Sequence, residues 1–297
     1  MGQIMQKKTF KHNIIAMVYD FDGTLSPQPM QEYSVLPEID VDPKKFWNEV
    51  SKQTKKTKAE PMLVYMRHLI EEAFRKEVDI KRKDFKRLGK EVKYFKGVEK
   101  WFDRINHFVK EYGNGKVKIR HYIISAGLKE ILEGVSIKKH FHKVFASEYH
   151  FDYRGIATFP KVLITDTAKT QFLFRINKGK EDILESINEH MPEPLRPIPF
   201  SNIVYIGDGL TDVPSMTVTR VGGGNSIAVY KDSGEGEQKA REICKKLLKN
   251  ERANLIAPAD YSKNGILEKN VHLILKSVIA HIDYKRERFN CRRKYDI

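Results

Sequence analysis

The sequence predicts an α/β protein built on a parallel sheet, with one helical module inserted into it. Three observations carry this. The short apolar runs "IIAMVY", "HYIISAG", "IVYI" and "NSIAVY" alternate with helical periods, and strands buried on both faces read as such uninterrupted runs. From residue 27 to 116 the periodicity is helical throughout. Two of the runs, "IIAMVYDFDG" and "IVYIGDGLTD", end in paired aspartates where the chain turns.

The first predicted strand is Ile14 to Tyr19, rich in branched residues. Ser26-Pro27 and Pro29 then break the pattern. Asp42-Pro43 reads as an N-cap followed by proline at the first helical position, with Phe46 and Val50 on one face. Met62, Tyr65, Met66 and Leu69 form a second apolar stripe, and Phe85, Leu88 and Val92 a third. A fourth runs through Val98, Trp101, Phe102, Ile105, Phe108, Val109 and Tyr112, closed by Gly113. Strands resume at "VKIRHYIISAG", followed by a helix over residues 128–133. "KVFASEYHFDYRGIATF" is extended, with turn chemistry from Asp152 to Gly155. A helix over 169–178 precedes the strand "SNIVYI", and "NSIAVY" follows the "GGG" turn. Two helices close the chain, one over 238–248 and one starting near Ser262. The helical block falls inside the alternation, so the expected division is a core of residues 1–26 and 117–297 with residues 27–116 inserted.

Composition narrows the function. The chain has 297 residues, 40% hydrophobic and 31% charged, the proportions of a soluble globular protein. No apolar run approaches the roughly 20 residues that span a bilayer. "MGQIMQKKTFKHN" carries no secretory h-region, and Gln6 stands where a myristoylation signal has Ser or Thr. The expectation is a cytoplasmic protein without membrane contact. Cys244 and Cys291 are the only cysteines and read as reduced thiols. Lys and Arg number 54 against 39 Asp and Glu, a net charge of +15. The basic residues are scattered among acids and follow no nucleic-acid-binding signature. They read as a solvated basic surface, and a nucleic-acid partner is not expected. His140 and His142 lack an evident third ligand, and "GGGN" lacks the Lys-Ser/Thr of a P-loop.

The acidic strand ends call for a stronger account. Asp20 and Asp22 face one side in extended chain, and Asp208 and Asp212 follow a second strand in the same way. In open parallel sheets the ligand crevice lies beyond the carboxyl ends of the strands. Asp-Gly is also a hairpin signal, but "TLSPQP" and "LTDVPS" are poor partner strands. Two like charges 4 Å apart repel by roughly 4 kcal/mol at an effective dielectric of 20, so such a group needs protons or a cation. All-oxygen ligands with open positions suit Mg²⁺ and a phosphate. Ser125, followed by "AG" and a helix, and Lys169, at the start of the next helix, are candidate phosphate donors.

Taken together, "DFDGT", "SAG", Lys169 and "GDGLTD" resemble the four motifs of the haloacid dehalogenase-like superfamily, in its phosphoserine-phosphatase-like branch. The resemblance implies a three-layer, Rossmann-like α/β core with a central parallel sheet, and makes residues 27–116 an all-α cap domain. It implies a Mg²⁺-dependent phosphomonoesterase acting on a small phosphorylated substrate. Asp20 would be the nucleophile that forms an aspartyl-phosphate, and Asp22 the general acid and base. Thr24, Ser125, the adjacent Ala126 and Lys169 would hold the phosphoryl group. Asp20, Asp22 (through its carbonyl), Asp208 and Asp212 would surround the metal. An acid at position 22 points away from dehalogenase and ion-pump chemistry. Ala126 and Thr211 depart from the phosphoserine phosphatase pattern, as does the long segment from Lys169 to Asp208, which leaves the substrate open. A phosphotransferase or mutase is the alternative of the same fold, and a non-catalytic basic nucleic-acid-binding protein the alternative of another class. Oligomeric state is not legible.

Overall fold

The computed structural model describes residues 9–234 and 236–295; the signal and lipidation motifs sought in residues 1–8 lie outside them. A seven-stranded sheet in the order β4-β3-β2-β1-β5-β6-β7 forms the centre. Its strands are β1 (Ile14–Tyr19), β2 (Lys118–Leu128), β3 (Phe141–Phe151), β4 (Ala157–Val162), β5 (Ile203–Gly207), β6 (Asn225–Tyr230) and β7 (Leu255–Pro258). All pairings are parallel except that of β4, which returns antiparallel on β3. The Asp152 carboxylate makes that return by accepting from the Arg154 and Ile156 amides, both at 2.9 Å.

Between β1 and β2 come α1 (Met30–Tyr33), α2 (Val35–Glu38), α3 (Pro43–Thr57), α4 (Pro61–Arg75), α5 (Arg82–Leu88) and α6 (Val98–Tyr112). Asp42 caps α3 as its sequence predicts, accepting from the Lys45 amide at 2.8 Å. The later helices are α7 (Lys129–Leu132), α8 (Lys169–Lys178), α9 (Val213–Val221), α10 (Glu237–Lys249) and α11 (Ile266–Lys294). Alternate residues of each strand feed opposite layers. Ile15, Met17 and Tyr19 of β1 pack with α6, α7 and α11, and that apolar layer continues through Phe46, Val64 and Phe85 of the insertion. Ala16, Val18 and Tyr205 pack with α8, α9 and α10. The core is therefore three-layered, as expected, and every strand that reads as an apolar run is buried on both faces. Among the described residues no helix is long and apolar enough to cross a membrane.

Four local expectations change. The stripe Phe85, Leu88 and Val92 is not one helix: α5 stops at Leu88, and Gly89 packs so close to the Ile131 carbonyl that a Cβ would lie 2.2 Å from it. The three side chains still reach the core. The helix expected from Leu128 is only the single turn α7, because β2 runs on through Leu128. The last helix starts at Ile266, four residues late, since Asp260 and Ser262 hold a turn there. Helix α9 and strand β7 were hidden from the pattern: α9 is rich in Val and Thr, and β7 has four residues ending in Pro258, tolerated because it is an edge strand.

Candidate active site

Register assembles the site. Tyr19 of β1 pairs with Ile123 on one side and Ile206 on the other. Ser125 and Asp208 thus stand two residues beyond the level of Tyr19, flanking Asp20, at the carboxyl ends of neighbouring parallel strands. The chain leaves β1 toward β2 and β3 on one side, and β5 to β7 lie on the other, so this is the switch point where open α/β sheets bind ligands.

Past β1 the backbone turns sharply. Gly23 has φ +81°, and a Cβ there would lie 2.2 Å from Asp208 Oδ2; only glycine lets the β1 loop close on the β5 loop. A Cβ on Gly207 would likewise meet Asp212 Oδ2 at 2.3 Å. No hairpin follows either Asp-Gly, since the chain continues into α1 and α9 respectively.

Asp20, Asp208 and Asp212 each bring a carboxylate oxygen within 4.8 Å of the others. Lys169, buried at the start of α8, places Nζ 3.0 Å from Asp20 Oδ1 and 2.8 Å from Asp212 Oδ1. Asp22 is turned differently: its Oδ1 accepts from the Met30 amide at 2.8 Å. Asp22 Oδ2 lies near Gly127, where a Cβ would sit 3.1 Å away, which ties the "SAG" segment to this aspartate. Ser125 is buried, and its hydroxyl accepts from the Gly127 amide at 3.0 Å. It does not cap a helix, because α7 starts at Lys129. The Ala126 carbonyl accepts from Tyr65 of α4 at 3.4 Å, so the insertion reaches this edge of the site. Thr24 is fully buried, and its hydroxyl has no hydrogen-bond partner among the described residues.

Electrostatics follow from this packing. Burial pushes Asp20 up to about 7, with Lys169 opposing and Asp212 adding to the rise. Burial and then the Asp20 charge hold Asp22 well above the usual carboxylate range, and burial with Asp212 and Asp20 does the same to Asp208. Burial alone would lower Lys169, but Asp20 and Asp212 outweigh it and hold the ammonium protonated. Four carboxylates around one cation leave negative charge to be neutralised. The unpartnered Thr24 hydroxyl and the all-oxygen donor set fit a hard divalent cation with a phosphate beside it.

Sequence reasoning missed two tyrosines. Tyr205 of β5 donates to Asp212 Oδ1 at 2.7 Å, and Tyr261 donates to the Thr24 carbonyl at 2.9 Å. For Tyr205 the available signal was a tyrosine inside an otherwise aliphatic buried strand, because a buried phenol needs a partner; Tyr261 lies in the loop after β7 and carried no such signal. Several other polar side chains have partners away from these acids. Lys161 pairs with Glu148, and Trp47 donates to Glu32 at 2.8 Å. His140 stacks on Phe102, and His142 faces Glu181 at 3.3 Å. Cys244, buried and free, does reach the site's edge, its Sγ 3.8 Å from the Asp208 carbonyl, whereas Cys291 is exposed and free.

The family model for haloacid dehalogenase-like hydrolases matches residues 17–217 of this chain. An uncharacterised protein of Borreliella burgdorferi is 31% identical over 290 residues, covering 87% of this chain and 97% of its own. Among solved structures, a HAD family hydrolase from Salmonella enterica serovar Typhi superposes with a TM-score of 0.54 at 14% identity, over 83% of this chain and 67% of that one. A phosphoserine phosphatase, solved as a phospho-aspartyl intermediate analogue, gives 0.50 at 16% identity, over 87% and 98%. A probable phosphoserine phosphatase from Vibrio cholerae gives 0.55 at 10% identity, over 92% and 67%. At these identities the structural likeness concerns the fold.

Proposed function

The chain belongs to the haloacid dehalogenase-like hydrolase family, and from that premise we propose that it is a Mg²⁺-dependent phosphatase of small phosphomonoesters, working through an aspartyl-phosphate. The observation that carries this reading is the meeting of Asp20, Asp208 and Asp212 within 4.8 Å, beside the buried Lys169. Phosphoryl transfer depends mainly on positioning and charge stabilisation, and this arrangement supplies both.

Asp20 attacks phosphorus from its carboxylate oxygen. The bond to the leaving oxygen breaks, and Asp22 gives that oxygen its proton. The environment of Asp22 favours the protonated form this step needs. Asp22, now ionised, takes a proton from water, whose oxygen attacks phosphorus. The bond to Asp20 breaks, and inorganic phosphate leaves. Lys169, Thr24, Ser125 and the backbone at Ala126 hold the phosphoryl oxygens through both steps. Asp20, Asp208 and the Asp22 carbonyl would hold Mg²⁺, with Asp212 completing the acidic group. The bound ion supplies positive charge that keeps Asp20 ionised and offsets charge building on phosphate oxygens. Residues 27–116 act as a cap that excludes water and selects the substrate, reaching the site through Tyr65.

The test is phosphate release from a panel of phosphomonoesters, with Mg²⁺ and with EDTA. Metal-dependent release supports the reading and ranks the substrates. Transfer to an added alcohol or sugar acceptor, with no release, would make the protein a phosphotransferase instead.

A further inference from the structure

Resting on the reading of this site as a phosphatase, we propose that Tyr205 is a positioning residue. Its hydroxyl locks Asp212 onto Lys169, which commits Asp212 to orienting the lysine and keeps it off the metal.

Asp212 already accepts from donors on both of its oxygens. Its Oδ1 takes the Lys169 ammonium at 2.8 Å and the Tyr205 hydroxyl at 2.7 Å. Its Oδ2 takes the Asp208 amide at 3.1 Å, with the Gly209 amide at 3.5 Å beyond it. A carboxylate offers about four lone-pair sites, and here the protein itself engages both oxygens. Asp20 and Asp208 are engaged less: Asp20 meets Lys169 at 3.0 Å and the Phe21 amide, and beside the Asp208 carboxyl stands its own amide.

Position explains why Tyr205 does this. It lies on the face of β5 that packs against α8 and α9, and α8 brings Lys169. Its ring is fully buried, so the hydroxyl cannot turn to solvent. The phenol therefore reaches from the sheet to the same oxygen that Lys169 touches from the helix. With both donors present, Asp212 shares its charge between them, and Lys169 remains available to Asp20 and to a phosphoryl group. Without the phenol, Asp212 draws Lys169 to itself or swings toward the cation.

The experiment compares wild type with Tyr205→Phe, which keeps the ring and removes one oxygen. Calorimetry measures the affinity for Mg²⁺ alone, then for inorganic phosphate with Mg²⁺ present, and steady-state assays give kcat and KM on the best substrate. Thermal unfolding confirms that the variant is folded. The expected result is phosphate binding weakened at least severalfold and kcat lowered about tenfold, with Mg²⁺ binding unchanged or tighter. That divergence is one that general loosening of the site would not give. Phosphate affinity and kcat within twofold of wild type overturn the proposal. So does a parallel loss of Mg²⁺ and phosphate affinity. Should wild type hydrolyse no phosphomonoester, the phosphatase reading fails separately, while the two affinities still decide the role of Tyr205.

Discussion

Lys169 Nζ stands 3.0 Å from Asp20 Oδ1, a buried cation against the carboxylate that ends the central strand. Lys169 at the start of α8 and Asp20 just past β1 are 149 residues apart, and the sheet brings them together. Both groups are almost wholly removed from water; Asp20 and Asp212 together keep the ammonium charged, and Lys169 in turn opposes the rise that burial gives Asp20.

Lys169→Ala should therefore act on catalysis and on stability together. Turnover falls by several powers of ten, because the phosphoryl charge loses its lysine. Stability at neutral pH falls by about 3–5 kcal/mol, the usual cost of leaving a buried charge unpaired. The loss is smaller at pH 5, where Asp20, raised by burial to about 7, takes up a proton. Urea unfolding at the two pH values, beside kinetic assays, checks both. Wild-type activity in the variant would transfer the role to another lysine.

Asp20→Asn removes the proposed nucleophile while keeping its shape. Turnover should drop roughly 10³-fold or more. The metal-free fold should be as stable as wild type or more so, since one of several crowded carboxylates becomes neutral. Stopped assays and thermal melts of the same preparation test this pair of outcomes. A stable variant with full activity would sink the assignment.

Mg²⁺ binding should depend on pH. Burial raises Asp20 to about 7 and raises Asp208 as well, so in metal-free protein these proposed ligands hold protons that the cation must displace. Affinity rises as pH climbs through 7, and binding releases protons. Calorimetry in two buffers of different ionisation enthalpy measures that release. At a hundred times its Kd the ion should add about 2.7 kcal/mol to stability, and EDTA should remove it.

A second pH dependence arises away from the site. Trp101 donates to the Tyr19 hydroxyl, which meets His121 Nδ1 at 3.0 Å, and His121 Nε2 meets Asn106 Oδ1 at 3.0 Å. Burial, with a smaller contribution from His140, lowers His121 to about 3. Its folded-state value lies below the unfolded one of 6.5, so unfolded chains bind the proton first as pH falls. The stabilising effect of a neutral His121 is complete above pH 6.5 and is lost between 6.5 and 3, at about 1.4 kcal/mol per pKa unit. In His121→Gln that part of the acid sensitivity should vanish. Identical pH-stability slopes in the two proteins would contradict it.

Legibility in the sequence tracked locality. The strand Ile14–Tyr19 and the helices over 43–57, 98–112 and 169–178 could be read because each has its own period and boundary residues. Helix α9 could not, since its Val and Thr residues carry no clear stripe, and β7 is too short to alternate. Of the candidate site residues, Asp20, Asp22, Asp208 and Asp212 stood out because paired acids at a strand end are chemically conspicuous. Ser125 drew notice as a candidate phosphate donor before a helix, and in the structure its hydroxyl accepts from the Gly127 amide.

By itself the sequence determined which strands are buried, where the helical insertion falls, and which four aspartates and which lysine could do phosphoryl chemistry. Those properties reside in apolar runs, turn residues and charge at known spacing. Only the tertiary structure decided how the acids differ from one another. Asp22 is held by the Met30 amide, Asp212 by Lys169 and Tyr205, and Thr24 by the Tyr261 hydroxyl on its carbonyl. Each of these partners comes from another element or from a loop whose path the pattern does not describe. The physical reason is that charge state and orientation depend on burial and on partners distant in sequence, and neither exists until the sheet has closed.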